Sequence, residues 1–197
     1  KSKGIKVVGF DAEIDSLKNA VNKEIIDESI NSLEEINSKE YIKDIDLIVL
    51  AVPPKQTLEV LNNIKEIWNT DTTITDTSSV KNHIKLENVS NIILSHPIAG
   101  SDQSGLSAAD GNLFNDKKNV LCNPFNCSKE HLDKVDNFWK NALRMKTSLM
   151  TVSEHDLVFA MTSHLPHLIS YALIDSIRLS NNDIGDLSLI HISEPTR

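Results

Sequence analysis

The chain has 197 residues, of which 40% are hydrophobic and only 5% aromatic, with a formal net charge of −8. That composition supplies one ordinary core and part of a second, and its acidic balance argues against nucleic acid or an anionic membrane as partner. No unbroken apolar run near the ~20 residues that span a bilayer and no signal-peptide pattern is expected, so a soluble cytoplasmic protein is the expectation.

Ile5-Lys6-Val7-Val8-Gly9-Phe10-Asp11 reads as a short buried strand ending in an acid. A helix follows, with Ile14, Leu17 and Val21 at helical spacing. Asp11 has two readings. It caps that helix, or it holds the ribose hydroxyls of a dinucleotide, as an acid at a strand end does in a dinucleotide-binding fold. In such folds the acid lies ~20 residues after a glycine-rich turn. Here ten residues precede Asp11 and no G-x-G-x-x-G occurs. The expectation is that the chain starts after the first strand and its glycine loop.

A short helix is expected over 31–36. Asp46-Leu47-Ile48-Val49-Leu50-Ala51-Val52-Pro53 is the clearest strand, an unbroken apolar run suited to a central parallel strand covered on both faces. Pro53-Pro54 ends it. A helix then runs to about Trp68 with Leu58, Leu61, Ile64 and Ile67 inward. Thr73 to Asp76 is the next strand and breaks into hydroxyls, Thr77-Ser78-Ser79-Val80-Lys81; Ile92 to Leu94 is the one after. Alternating strands and helices predict an α/β class with a parallel sheet.

The last of these strands runs into Ser95-His96-Pro97-Ile98-Ala99-Gly100-Ser101-Asp102-Gln103-Ser104-Gly105. Pro97 disfavours helix at His96, which is therefore extended at a strand end. Gly100 and Gly105 allow tight turns or close approach to a ligand. Ligands collect at the carboxyl ends of strands in open α/β sheets. A histidine there either caps the strand or exchanges a proton near neutral pH.

Short helical turns are expected over 107–114. Two strands, Asn119 to Cys122 and Thr147 to Met150, flank a helix opened by Ser128. Cys122 and Cys127 fit no zinc or redox spacing and read as packing residues. Near Thr151 the pattern changes to one long helix, Glu154 to about Leu179, interrupted by Pro166. Asp156, Ala160, Ser163 and His167 share one helix face, while Leu157, Met161, Leu165, Leu168 and Ala172 form a packing face. The polar face either meets water or, with a kink at Pro166, turns Ser163 and His167 into a cleft. A metal held by His164, His167 and His96 is a competing reading, weakened by the lack of a carboxylate or cysteine at ligand spacing; no metal is assigned.

Three stretches taken together, D-T-S-S-V-K, H-P-I-A-G-S-D-Q-S-G and H-D-L-V-F-A-M-T-S-H-L-P-H, resemble the prephenate/arogenate dehydrogenase family of tyrosine biosynthesis, in order and spacing, over roughly Val7 to Ile177. The resemblance implies a Rossmann-like, mostly parallel sheet over residues 1–150, truncated at its N terminus. The start of an all-helical substrate and dimerisation domain follows over 151–186. It implies NAD-dependent oxidative decarboxylation of prephenate to 4-hydroxyphenylpyruvate, or of arogenate to tyrosine; a non-catalytic small-acid or metal-binding domain is the alternative from another class. By motif position His96 and Ser79 are the catalytic pair, and His167, Ser163, Asp102 and Gly100 bind substrate. Asp11, Val52, Pro53, Asp76, Thr77 and Ser78 bind NAD, with Asp11 repelling the 2′-phosphate of NADP. Asp102 stands where many relatives carry glutamate. The expected carboxylate-binding arginine has no match, since Arg144 and Arg178 lie outside the motifs. A small-molecule substrate, no nucleic acid, no membrane and a homodimer in the completed protein are the partner expectations.

Leu187 to Arg197 resembles the translation of a transposase sequencing adapter. Residues 187–197 are therefore read as a non-native tail, which removes His191 as a ligand candidate.

Overall fold

The computed structural model describes residues 4–35, 45–68, 70–100 and 105–179. The chain divides after His155 into two units.

The first unit opens with β1 (Val8–Gly9), paired in parallel with β2 (Glu28–Ser29). Between them α1 (Ile14–Asn22) buries Leu17 and Ala20. Ala20 takes an inward place, while Ile14, expected inside, faces out. Gly9 lets β1 lie close to the returning chain, because a Cβ there would come within 2.7 Å of Ile26 Cδ1.

β3 (Leu47–Leu50) pairs in parallel with β4 (Thr73–Asp76), Leu47 opposite Thr73 and Leu50 opposite Asp76. The crossover is α2 (Pro54–Asn63) and a 3₁₀ turn (Lys65–Ile67). Pro54 begins α2, where a missing N–H costs no intrahelical bond. Leu61, Ile64 and Ile67 are buried as the spacing predicts. The expectation that β3 is covered on both faces does not hold. Apolar β3 leaves Val49 37% exposed, whereas β4, with the sequence Thr-Ile-Thr-Asp, is buried throughout. Thr73 Oγ1 meets His131 Nδ1 at 2.7 Å and Thr75 Oγ1 meets Ser95 Oγ at 2.8 Å, so the buried hydroxyls of β4 are satisfied.

A parallel bridge from Ile74 to Ile92 leads to β5 (Leu94–Ile98). β5 runs antiparallel to β6 (Lys118–Cys122), His96 opposite Val120 and Pro97 opposite Asn119. β6 pairs in parallel with β7 (Lys146–Leu149). The pairing is thus mostly parallel with one antiparallel exception. A 3₁₀ turn (Leu106–Ala108) lies in the connection from β5 to β6. α3 (Lys129–Asn137) connects β6 to β7, its first turn capped by Ser128, whose Oγ accepts from His131 N. Val135 and the following Trp139 pack with Ile93, Leu121, Cys127 and Met145 in one apolar core. Cys122 and Cys127 are free and buried, and burial pushes the Cys127 thiol up.

The described helical stretch 152–179 comprises α4 (Val152–Phe159), a π turn (Ala160–His164) and α5 (Leu165–Leu179). The helix starts at Val152, two residues before its expected start. Thr151 Oγ1 accepts from Glu154 N, and Glu154 Oε2 accepts from Thr151 N and Oγ1. This T-x-x-E pattern is a capping box. The irregularity expected at Pro166 sits one turn earlier, where Leu165 N donates to Ala160 O. Proline supplies no N–H to the turn before it, and a widened π turn accommodates the loss.

Two further expectations change here. Leu157, Met161, Leu165 and Leu168, expected as a packing face, are exposed. The stretch Val152–Leu179 is also long and apolar enough to cross a membrane by length and composition, against the expectation that no such run occurs. Scattered polar residues hide it from a search for an unbroken run.

Candidate active site

The carboxyl end of β4 and the start of β5 carry a buried polar cluster. Asp76 closes β4, and both of its carboxylate oxygens are committed inside the protein. Oδ1 accepts from Ser95 N at 2.9 Å. Oδ2 accepts from Ser78 N at 3.1 Å, from the Ser78 hydroxyl, and from Lys81 Nζ at 2.6 Å. The Lys81 side chain is fully buried and also donates to Ser78 Oγ at 3.2 Å and to Ser95 O. A buried ion pair is tolerated only when further hydrogen bonds complete it, and these supply them. Ser95 Oγ donates to Asp76 O at 2.5 Å. Ser95 is therefore held by its N–H, its carbonyl and its hydroxyl.

That clamp sits one residue before His96. The imidazole of His96 is half-buried on β5 and reaches His155 of α4, with His96 Nδ1 and His155 Nε2 2.9 Å apart. The ring planes stand at 66° with centroids 5.0 Å apart. His155 is fully buried. Both rings belong to the first unit. His96 is extended, as Pro97 requires, but the strand continues through Pro97 to Ile98.

The residues expected at a cofactor fall into different settings. Asp11 is exposed just beyond β1, and its Oδ1 accepts from Glu13 N at 2.8 Å in a local turn ahead of α1, whose N-cap is Glu13 and carries no side-chain cap bond. Val52 is half-buried and Pro53 exposed between β3 and α2. Thr77 is tied back to β3, its N donating to Leu50 O at 3.1 Å. Asp76, expected to meet cofactor, is 1% exposed with its oxygens occupied; its direct work is to hold the Ser78 and Ser95 backbones. Ser79 is half-buried, and its hydroxyl makes no hydrogen bond among the described residues.

Of the residues expected at substrate, Gly100 is exposed with open space where a Cβ would stand. Asp102 lies outside the described residues. In the second unit Ser163 belongs to the π turn and His167 to α5, and His167 Nδ1 donates to Ser163 O at 2.8 Å. That bond leaves Nε2 as the free-edge nitrogen of a neutral His167 ring. Among the described residues no group of three His, Cys, Asp or Glu is placed to hold a metal ion.

Two participants carry no role by motif position, Lys81 and His155. Both lie inside quoted motifs, at the end of D-T-S-S-V-K and at the head of H-D-L-V-F-A. The missed signal was the lysine that closes a hydroxyl loop behind an acidic strand end. The T-x-x-E box that sets where His155 falls on its helix was a second.

The arrangement pairs a half-buried imidazole in mid-strand with a second, fully buried imidazole. Known proteins resemble it along most of the chain. The family model for the prephenate dehydrogenase nucleotide-binding domain matches residues 1–145, and that for the prephenate dehydrogenase dimerization domain matches residues 151–189. Cyclohexadienyl dehydrogenase of Zymomonas mobilis is 30% identical over 174 residues, covering 80% of this chain and 59% of that protein. Prephenate dehydrogenase of Lactococcus lactis is 35% identical over 140 residues, covering 67% of this chain and 37% of that protein. The chain thus spans less than two thirds of the length of these relatives. The crystal structure of prephenate dehydrogenase from Aquifex aeolicus in complex with hydroxyphenyl propionate and NAD+ superposes with a TM-score of 0.79 at 29% identity, covering 96% of this chain and 70% of that one.

Proposed function

Because the chain belongs to the prephenate dehydrogenase family, we propose that the intact protein carries out NAD-dependent oxidative decarboxylation of prephenate to 4-hydroxyphenylpyruvate in tyrosine biosynthesis. Residues 1–150 serve as its nucleotide-binding part and 151–186 begin its substrate and dimerisation part. The setting is the cytoplasm and the assembly a homodimer. The observation that carries this reading is His96, a half-buried imidazole on β5 held against a second, buried imidazole.

The residues present fit the cofactor in part. Asp11 offers an exposed carboxylate at a strand end, suited to ribose hydroxyls and repulsive to a 2′-phosphate. Val52 and Pro53 border the neighbouring strand end, and the Thr77–Ser78 turn is held in place by β3 and Asp76. The sequence has no G-x-G-x-x-G, so none of its residues is assigned to the pyrophosphate. When bound, NAD supplies the acceptor for the hydride that leaves the hydroxyl-bearing ring carbon.

The chain's own part is proton handling and placement. His96 accepts the hydrogen bond and then the proton of the substrate hydroxyl at Nε2 as hydride departs and carbon dioxide leaves. The Ser79 hydroxyl, which makes no bond of its own among the described residues, contacts that same oxygen. By motif position Gly100, Asp102, Ser163 and His167 are assigned to substrate binding in the intact protein.

The test is NADH formation by the intact protein with prephenate or arogenate, and with NAD or NADP. His96→Asn keeps a polar side chain but cannot take the proton, and it is expected to lower kcat by about 10²–10⁴-fold with a much smaller change in KM. Undiminished turnover by this variant would remove His96 from the chemistry. A clear preference for arogenate would move the substrate assignment to the amine.

A further inference from the structure

We propose that His155 is a positioning residue for His96: it accepts the hydrogen on His96 Nδ1 and thereby keeps Nε2 of that ring as the nitrogen that receives the substrate proton. This rests on His96 being the proton acceptor, as set out above. A hydrogen bond between two neutral imidazoles needs one N–H and one lone pair, so the 2.9 Å approach of His96 Nδ1 to His155 Nε2 allows two arrangements. In one, His96 donates from Nδ1 and its Nε2 carries the lone pair. In the other, His155 donates from Nε2, the hydrogen of His96 sits on its own Nε2, and that edge cannot act as a base. Only the first arrangement is competent. It also survives the reaction, because the Nδ1–H of the resulting imidazolium still points at an acceptor. The second would have to reverse before a proton could be taken.

Both sides of the contact are built to hold it. On β5 the residue before His96 is tied by Asp76 and Lys81 through its N–H and carbonyl. On α4 His155 N donates to Thr151 O at 3.0 Å, and the Thr151–Glu154 capping box fixes the first turn of the helix. The ring of His155 is fully buried, so its place depends on the backbone of α4 rather than on solvent. A carboxylate in this role orients the histidine of hydrolytic triads. A neutral imidazole gives the same orientation without placing another charge in a buried spot.

The ring nitrogens of the histidines in the intact, unmutated protein can be read directly by long-range ¹⁵N–¹H correlation near neutral pH. The hydrogen of neutral His96 is expected on Nδ1; finding it on Nε2 would overturn the proposal. His155→Leu should lower kcat roughly 10- to 100-fold while KM for prephenate stays within about twofold, because orientation rather than binding is lost. It should also release His96 into a mixture of tautomers. His155→Gln, whose side-chain carbonyl can accept from Nδ1–H, should restore most of kcat and the single tautomer. An unchanged kcat in His155→Leu would sink the proposal. If His155→Leu does not fold, the unmutated spectrum and the glutamine variant decide alone. A wild-type protein that forms no NADH from prephenate would refute the function instead, while the ring spectrum would still settle which nitrogen carries the hydrogen.

Discussion

Where β4 ends and β5 begins the chain buries charge. Asp76 and Lys81 lie at 1% and 0% exposure, wrapped by Ser78 and Ser95. Along 152–179 it exposes hydrocarbon: Leu157 and Leu168 stand 66% and 67% open. The two regions invert the ordinary relation between hydropathy and burial, for different reasons. In the first, every buried charge has partners, so the desolvation cost of several kcal/mol per ion is offset locally. In the second, apolar side chains find no cover within the described residues. Covering a leucine contributes about 1.5–3 kcal/mol, so a contiguous stripe of them favours association with another surface. Burial here follows partnership, and the sequence alone reports only half of each partnership.

The largest expected effect comes from breaking the charged side of the comparison. Lys81→Met removes the cation and leaves the Asp76 carboxylate buried, which is expected to cost about 3–5 kcal/mol of stability. Adding Asp76→Asn to it should recover part of the loss, because the stranded charge is then gone. Urea unfolding of the two variants beside the wild type measures both. A Lys81→Met protein as stable as the wild type would mean that water already reaches the pair.

The apolar side is sharpened by Leu168→Glu. An exposed side chain carries little of the unit's own stability, so the melting of the first unit should be unchanged within about 0.5 kcal/mol. The proposed homodimer should weaken, because a carboxylate would have to be buried at the contact. Light scattering of the intact protein at micromolar concentration reads the outcome. A dimer indifferent to this change would place the contact on another surface.

The sequence disclosed most of the frame, because periodicity and punctuation are local. Pro53-Pro54 marked the start of α2, although β3 ends earlier, at Leu50, and Ser128 marked α3. Leu61, Ile64 and Ile67 went inside as their spacing required. The readings that changed were non-local. Val49 looks like a covered strand residue, yet its exposure depends on which strands flank β3. Thr73 and Thr75 carry hydroxyls, and His131 and Ser95, distant in sequence, supply the partners that accompany their burial. The site divides in the same way. His96 was legible from Pro97 and the strand before it. Its partner is 59 residues away on another element, and no spacing rule within either segment joins them. Asp76 was recognised as a strand-end acid, but whether such an acid faces a ligand or a buried lysine is decided by Lys81.

The smallest effect concerns the capping box that seats His155, and it tests whether the buried site depends on an exposed charge. Two bonds from Thr151, the backbone N–H and the hydroxyl, hold the Glu154 carboxyl below the usual carboxylate range. The carboxylate also lies at a helix N-terminus, where negative charge is favoured. A carboxyl depressed in the folded state contributes stability above its unfolded pKa, and that contribution fades as pH falls through the folded value. Glu154→Gln keeps an oxygen that can accept from Thr151 but removes the charge. At neutral pH it should melt slightly below the wild type, and the gap should close as the pH is lowered through the glutamate range. The side chain is fully exposed, so solvent screening keeps the gap small and added salt should shrink it further. Thermal melts of both proteins across that range give the answer. A gap that widened on acidification would reverse the sign of the linkage, and the cap would then hold the start of α4 through its neutral form.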